Sequence, residues 1–217
     1  MKQPRSRDIH SAMKPFHTIS VALAALLVAC SGEQPVKTTA GGSLASCTTR
    51  SYEEIGGPFT LTNQDGVEVT EEDFKGRPTL IYFGFTYCPD VCPGTLVGIA
   101  NAYRSLPEDI EPPQTLLISV DPERDTPEAL KTYVASNAFP DNLVGLTGTP
   151  EQIAAVADEF FVGYDRIETP ESAGDYTMDH TSLLYLMDED WKLKTFFAEG
   201  DSNPEDMATC LAQLLRQ

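Results

Sequence analysis

Thr79-Leu-Ile-Tyr-Phe-Gly84-Phe-Thr-Tyr-Cys88-Pro-Asp-Val-Cys92-Pro93 passes from an apolar run to two cysteines four positions apart. Its first half is aromatic and β-branched and is fenced by Gly76-Arg77-Pro78 before and Pro89 after, the pattern of a central strand buried on both faces. The cysteines therefore stand at the carboxyl end of that strand. Pro93 suits the first turn of a helix, where its missing N–H costs nothing, so Cys92 falls at or just before a helix start. Free N–H groups and the helix dipole favour thiolate there. With this spacing in a helix or tight loop, the two side chains share a face. Such a pair either closes into a disulfide or grips a soft metal.

On the amino-terminal side, Phe59 to Val69 reads as two alternating runs around Asn63-Gln-Asp-Gly66, a hairpin. On the carboxyl side, Leu96, Ile99, Ala100, Tyr103 and Leu106 mark a helical face, and Gln114 to Val120 is a second buried strand. Asp121 to Pro127 turns into a helix over Glu128 to Ser136, and Val144-Gly-Leu is a short strand. Thr149-Pro-Glu-Gln152 has the capping-box signature of a third helix. The polar stretch that follows, to Thr177, reads as a surface loop with one short strand at Phe161 to Arg166. Thr181 to Met187 and Lys192 to Phe197 form a second hairpin, and Ser202 or Asn203 caps a last helix carrying Met207, Cys210, Leu211, Leu214 and Leu215. This order predicts an α/β protein, a central mixed sheet flanked by helices, thioredoxin-like with an N-terminal β-hairpin.

The chain has 217 residues and a formal charge of −18, and positions 1–29 hold four of the 15 basic and one of the 33 acidic residues, so the remainder is more acidic still. Nucleic acid is not the partner of such a surface. Lys14 and His17 precede the apolar run Ile19 to Val28, the layout of an export signal over residues 1–29, with Met13 an alternative start. The run is too short to span a bilayer, which takes about 20 residues. Leu27-Val28-Ala29-Cys30 resembles the lipobox of bacterial lipoproteins, which implies lipidation of Cys30 and anchoring outside the cytoplasm. Residues 30–55 read as a flexible tether and residues 56–217 as the folded domain.

His10 and His17 fall in the presequence, which leaves His180, in Asp175-Tyr-Thr-Met-Asp-His180, as the one imidazole of the exported domain. In a thioredoxin-like layout it faces the cysteine loop across the carboxyl edge of the sheet. Two thiolates and one imidazole are a soft set of low coordination, best suited to Cu(I) and able to hold Cu(II). Structural zinc sites want a fourth protein ligand.

Phe83-Gly-Phe-Thr-Tyr-Cys88-Pro-Asp-Val-Cys92-Pro, Ile118-Ser-Val-Asp121-Pro-Glu-Arg-Asp125-Thr-Pro, Gly145-Leu-Thr-Gly-Thr-Pro-Glu-Gln152 and Asp179-His180 closely resemble the Sco (SenC) proteins of cytochrome c oxidase assembly. The resemblance runs from about Gly56 to Met187. It implies copper held by Cys88, Cys92 and His180, and delivery of that copper to the binuclear copper site of an oxidase subunit or preparation of that site's thiols. Other copper chaperones and thioredoxin-like reductants are further partners it suggests. Asp90, Asp121 and Asp125 match family positions near the site, where they shape loops and cap helices. An anchored bacterial periplasmic protein follows, and an oxidase partner favours the inner membrane, although Ser31 after Cys30 leaves the choice of membrane open.

With Cys30 lipidated and Cys88 and Cys92 at the site, Cys47 and Cys210 remain, and an oxidising compartment rarely leaves two idle thiols, so they are expected to pair. Cys210 also lies on an apolar helix face, where a plain core cysteine would sit. For Cys88 and Cys92 two roles stay open: a metallochaperone that is not an enzyme, or a thiol-disulfide reductase whose redox-active pair closes when metal-free. The reductase reading meets two departures, since thioredoxins use Cys-x-x-Cys and place a proline where this chain has His180-Thr181. A peroxiredoxin-type peroxidase fits poorly, because Phe85 and Pro89 stand where its motif needs threonine.

Overall fold

A computed structural model describes Cys47 and residues 52–171, 174–198 and 203–216. The signal segment over residues 1–29, Cys30 and Ser202 lie outside the described residues. The elements in order are β1 (Thr60–Asn63), β2 (Glu68–Thr70), β3 (Thr79–Gly84), α1 (Val91–Arg104), β4 (Gln114–Ser119), α2 (Pro127–Val134), β5 (Leu143–Thr147), α3 (Pro150–Glu159), β6 (Tyr164–Glu168), β7 (Tyr176–His180), β8 (Leu183–Met187), β9 (Leu193–Ala198) and α4 (Pro204–Leu214).

Seven strands make one sheet in the order β2-β1-β5-β4-β3-β8-β9. β4 runs parallel to β3 and β5, whereas β8 pairs antiparallel with β3, so the sheet is mixed. Every residue of β3 and β4 is buried, which explains why both read as unbroken apolar runs without alternation. Side chains alternate along β3. The Phe83 ring meets Phe160, just past α3, at 5.6 Å between centroids, while a Cβ on Gly84 would lie 3.4 Å from Cys92 Sγ on α1. Helices therefore cover both faces.

Local chemistry sets the boundaries. In the β1–β2 turn, Asn63 Oδ1 accepts from the N–H groups of Asp65 and Val67, and Gly66 supplies the positive φ of 76° that the turn requires. Thr149 and Gln152 form the expected capping box at α3, and Asn203 Oδ1 accepts from the Glu205 N–H to cap α4. α1 starts earlier than its apolar face suggested, at Val91, which puts Cys92 second and Pro93 third in the helix.

One expectation needs revision. The stretch read as a loop to Thr177 is a β-hairpin, with β6 and β7 paired antiparallel as a separate two-stranded sheet. β6 is exposed along most of its length, so it lacks the apolar alternation by which a half-buried strand is recognised. Most of the stretch expected to be a tether, residues 30–55, lies outside the described residues; of those described in it, Cys47 is buried in the core cluster, Ile55 packs on that cluster, and Tyr52 stacks on Phe196 at 6.4 Å. No helix among the described residues is long and apolar enough to cross a membrane.

Candidate metal centre

The loop Phe85 to Asp90 leaves the carboxyl end of β3 and enters α1. It is held from below by Asp125, which is fully buried. The Thr86 N–H donates to Asp125 Oδ2 at 3.0 Å and the Thr86 hydroxyl to Oδ1 at 2.6 Å, while the Ser119 hydroxyl donates to Oδ2 at 2.6 Å. Burial raises the Asp125 pKa above the ordinary value, and these hydrogen bonds oppose the rise. Asp125 thus fastens the cysteine loop to the end of β4.

The loop brings the two cysteines together. The Cys92 N–H donates to Cys88 Sγ at 3.3 Å. Cys92 is 1% exposed, whereas Cys88 is half-buried, and Tyr87 and Val91 in the same segment are exposed. Burial pushes the Cys92 thiol up to about 12, helped by the neighbouring Cys88 thiol and opposed by hydrogen bonds from the Tyr82 side chain and the Phe85 backbone. The sequence had suggested a thiolate favoured by the helix start. At Cys92, desolvation outweighs the helix N–H groups and dipole.

His180 ends β7, opposite Tyr164 in the hairpin. Its Nδ1 lies 3.1 Å from the Thr181 carbonyl, which can only accept, so Nδ1 is the donor, and the tautomer this contact selects carries its lone pair on Nε2. The next residue is tied down, since the Thr181 N–H donates to the Gly163 carbonyl at 2.9 Å and the Gly163 N–H to Thr181 Oγ1 at 3.1 Å. The imidazole meets the rings of Tyr82 and Phe85 edge-on at 6.2 and 6.1 Å. Those same two residues hydrogen-bond the Cys92 sulfur. The structure therefore brings Cys88 and Cys92 into contact and sets His180 one aromatic layer away. Among the described residues no three His, Cys, Asp or Glu side chains converge as a ligand set. Met178, two residues before His180, is partly buried against the core.

Several residues the sequence reading passed over hold this arrangement. Arg124 forms an ion pair through Nε with Asp121, and its Nη1 donates to the carbonyls of Gly174 and Tyr176 at 3.3 and 3.0 Å. Its guanidinium also lies 4.7 Å from the Tyr87 ring centre and 3.6 Å from that of Tyr176. It thereby joins the cysteine loop, the β4–α2 loop and the His180 hairpin. The hairpin approaches so closely that a Cβ on Gly174 would fall 2.2 Å from the Tyr87 ring. Of the three aspartates, Asp121 and Asp125 shape loops as expected. None caps a helix through its side chain: Asp90 precedes α1 with no side-chain cap bond, and Thr126 caps α2.

The SCO1/SenC family model matches residues 48–216, a span that contains Cys88, Cys92 and His180. The chain belongs to the SCO1/SenC family. Among its SCO1/SenC relatives, a SCO2-like protein of Rickettsia prowazekii is 38% identical over 189 residues, covering 84% of this chain and 87% of that one. The mitochondrial SCO1 homolog 1 of Arabidopsis thaliana is 42% identical over 150 residues, covering 67% of this chain but only 43% of that longer protein. Arabidopsis ScoI, solved with copper bound, superposes with a TM-score of 0.70 at 38% identity over 75% of this chain and 99% of that one. BsSco is a member of the Sco family of cytochrome c oxidase assembly proteins in which a disulfide switch has been identified. It superposes with a TM-score of 0.59 at 28% identity over 78% of this chain and 98% of that one. The thioredoxin-like α/β class expected from the element order is borne out by these SCO1/SenC neighbours and by the mixed sheet.

Proposed function

We propose that this chain is a copper carrier, not an enzyme, which binds one copper ion through Cys88, Cys92 and His180 and hands it to the binuclear copper site of cytochrome c oxidase. The observation that carries the reading is the contact of two thiols, one sheltered and one half-exposed, beside an imidazole whose Nε2 lone pair is available. Two sulfurs and one nitrogen make a soft, low-coordinate donor set matched to Cu(I) and able to keep Cu(II). The copper-bound Arabidopsis relative supports copper as the cargo, and BsSco supports oxidase assembly as the setting.

Loading in this reading draws His180 off the Tyr82 and Phe85 rings and onto the sulfurs. A cysteine ligates copper only as thiolate, so closure of Cys88 and Cys92 into a disulfide would bar loading, and redox state gates the cargo. Cys88, flanked by exposed Tyr87 and Val91, is the sulfur a partner's ligands can reach first, which suits hand-off by ligand exchange. The oxidase's copper-site subunit is the proposed acceptor, with other copper chaperones and thioredoxin-like reductants acting on the same pair. The apolar run Ile19 to Val28 and the lipobox-like stretch ending at Cys30 support a bacterial periplasmic, lipid-anchored location, and an oxidase acceptor favours the inner membrane.

The contact of the two thiols also supports the second reading, a reductase that keeps the oxidase's copper-site cysteines reduced. Copper stoichiometry on the reduced protein, repeated with His180→Ala, separates the two. One copper per chain, sharply weakened by the substitution, is the expected result. No retained copper, or retention indifferent to His180, would overturn the carrier and leave the reductase.

A further inference from the structure

Away from the metal centre a second pair of thiols meets. Cys47 lies ahead of β1, and Cys210 lies in α4, near the other end of the chain. Cys47 is 8% exposed and Cys210 fully buried, and both belong to the same apolar cluster as Met207, Leu211 and Leu214. The Cys210 thiol has the Cys47 thiol as its hydrogen-bonding neighbour. Neither is joined to another cysteine in this structure. We propose that Cys47 and Cys210 are the two halves of a structural disulfide that fastens the start of the domain to its last helix.

Two side chains held in contact by packing on both sides need little backbone movement to reach bonding distance. The bond forms by exchange with a disulfide-bearing oxidant. One cysteine thiolate attacks the oxidant's S–S bond to give a mixed disulfide, and the second displaces the oxidant's remaining sulfur. Two electrons pass from the cysteine sulfurs to the oxidant, which leaves as a dithiol carrying the two protons. Burial raises the Cys210 thiol pKa strongly, and Cys47 beside it adds to the rise, so exchange belongs to folding, before α4 seals the cluster. Once made, the bond is shielded from reductants that reach half-exposed Cys88.

The bond also fixes where any tether begins. Residues 52–55 already lie on the domain, with Tyr52 on Phe196 and the Gly56 N–H donating to the Glu159 carbonyl at 2.8 Å. A link at Cys47 moves the last free position of the chain ahead of residue 47. The inference does not depend on copper.

The test is to refold the full chain in a buffer of oxidised and reduced glutathione, block thiols with N-ethylmaleimide under denaturing conditions without reductant, and map peptides by mass spectrometry. A cross-linked pair containing Cys47 and Cys210, surviving mild reduction that frees Cys88 and Cys92, is the expected result. Both cysteines recovered as maleimide adducts would overturn the proposal. Thermal unfolding of Cys47→Ala provides a second readout. It should lower Tm by about 10 °C relative to the oxidised parent and leave the Tm of the reduced protein nearly unchanged. An equal loss in both states would mean that Cys47 acts through packing alone.

Discussion

Tyr176 Oη donates to Asp121 Oδ1 at 2.8 Å, a buried bond that ties the first residue of β7 to the carboxyl end of β4. β7 ends at His180, so this bond helps to set where the imidazole stands relative to the cysteine loop. Tyr176→Phe removes the bond while keeping the ring under Arg124. The expected cost is about 1 kcal/mol in urea unfolding, because Asp121 keeps its ion pair with Arg124. Copper affinity measured by competition should fall, but by much less than for His180→Ala. An unchanged affinity would mean that the hairpin holds His180 without this anchor.

Gly84 closes β3 directly beneath Cys92. A Cβ there would lie 2.9 Å from Tyr82 Cε1, 3.2 Å from Leu117 Cδ1 and 3.4 Å from Cys92 Sγ. Gly84→Ala must therefore move the Tyr82 ring, which links Cys92 to His180. Overpacking of this kind costs about 1–3 kcal/mol. Thermal unfolding should show that loss, and the variant should load copper poorly even where it remains folded.

The two cysteines, the strand before them, the hairpins that frame the sheet and the α3 capping box were all legible because each rests on local chemistry: an apolar run, a turn residue, a Thr-x-x-Gln spacing. The β6–β7 hairpin was not. Its outward strand, Tyr164–Glu168, is polar and exposed, and its contacts with the rest of the fold, such as Tyr176 with Arg124, are to residues distant in sequence. Arg124 itself read as one charge among many, since its role depends on three segments meeting. The state of Cys92 was misjudged for a related reason: a helix start is visible in sequence, but the depth at which it is buried is not.

Asp125 offers a test in pH. Its folded-state pKa is raised by burial, so the native state binds the proton more tightly than the unfolded chain. The stability tied to that proton is present below the unfolded carboxylate value and is lost as pH rises through the folded one. Asp125→Asn does not titrate, and its amide NH2 faces donors from Thr86 and Ser119. The variant should be less stable at neutral pH by about 1–3 kcal/mol. Its deficit should widen as pH falls toward about 4, the unfolded carboxylate value. Paired denaturant titrations at neutral and acid pH would measure the difference, and a deficit that narrowed in acid would reverse the sign assigned to Asp125.

Cys88 and Cys92 differ in access although their sulfurs are neighbours. Cys92 is 1% exposed, with its thiol raised to about 12, whereas Cys88 is half-buried beside exposed Tyr87 and Val91. Alkylation requires both a thiolate and a path to it. Iodoacetamide applied to the reduced, folded protein at neutral pH should therefore modify Cys88 first, by at least about tenfold over Cys92 on those two grounds. Denaturant should abolish the preference, because unfolding gives both thiols the same solvent. Peptide mapping after a timed quench distinguishes them. Preferential labelling of Cys92 would mean that the start of α1 opens readily in solution, which would make Cys92, not Cys88, the first sulfur exposed to an incoming ligand.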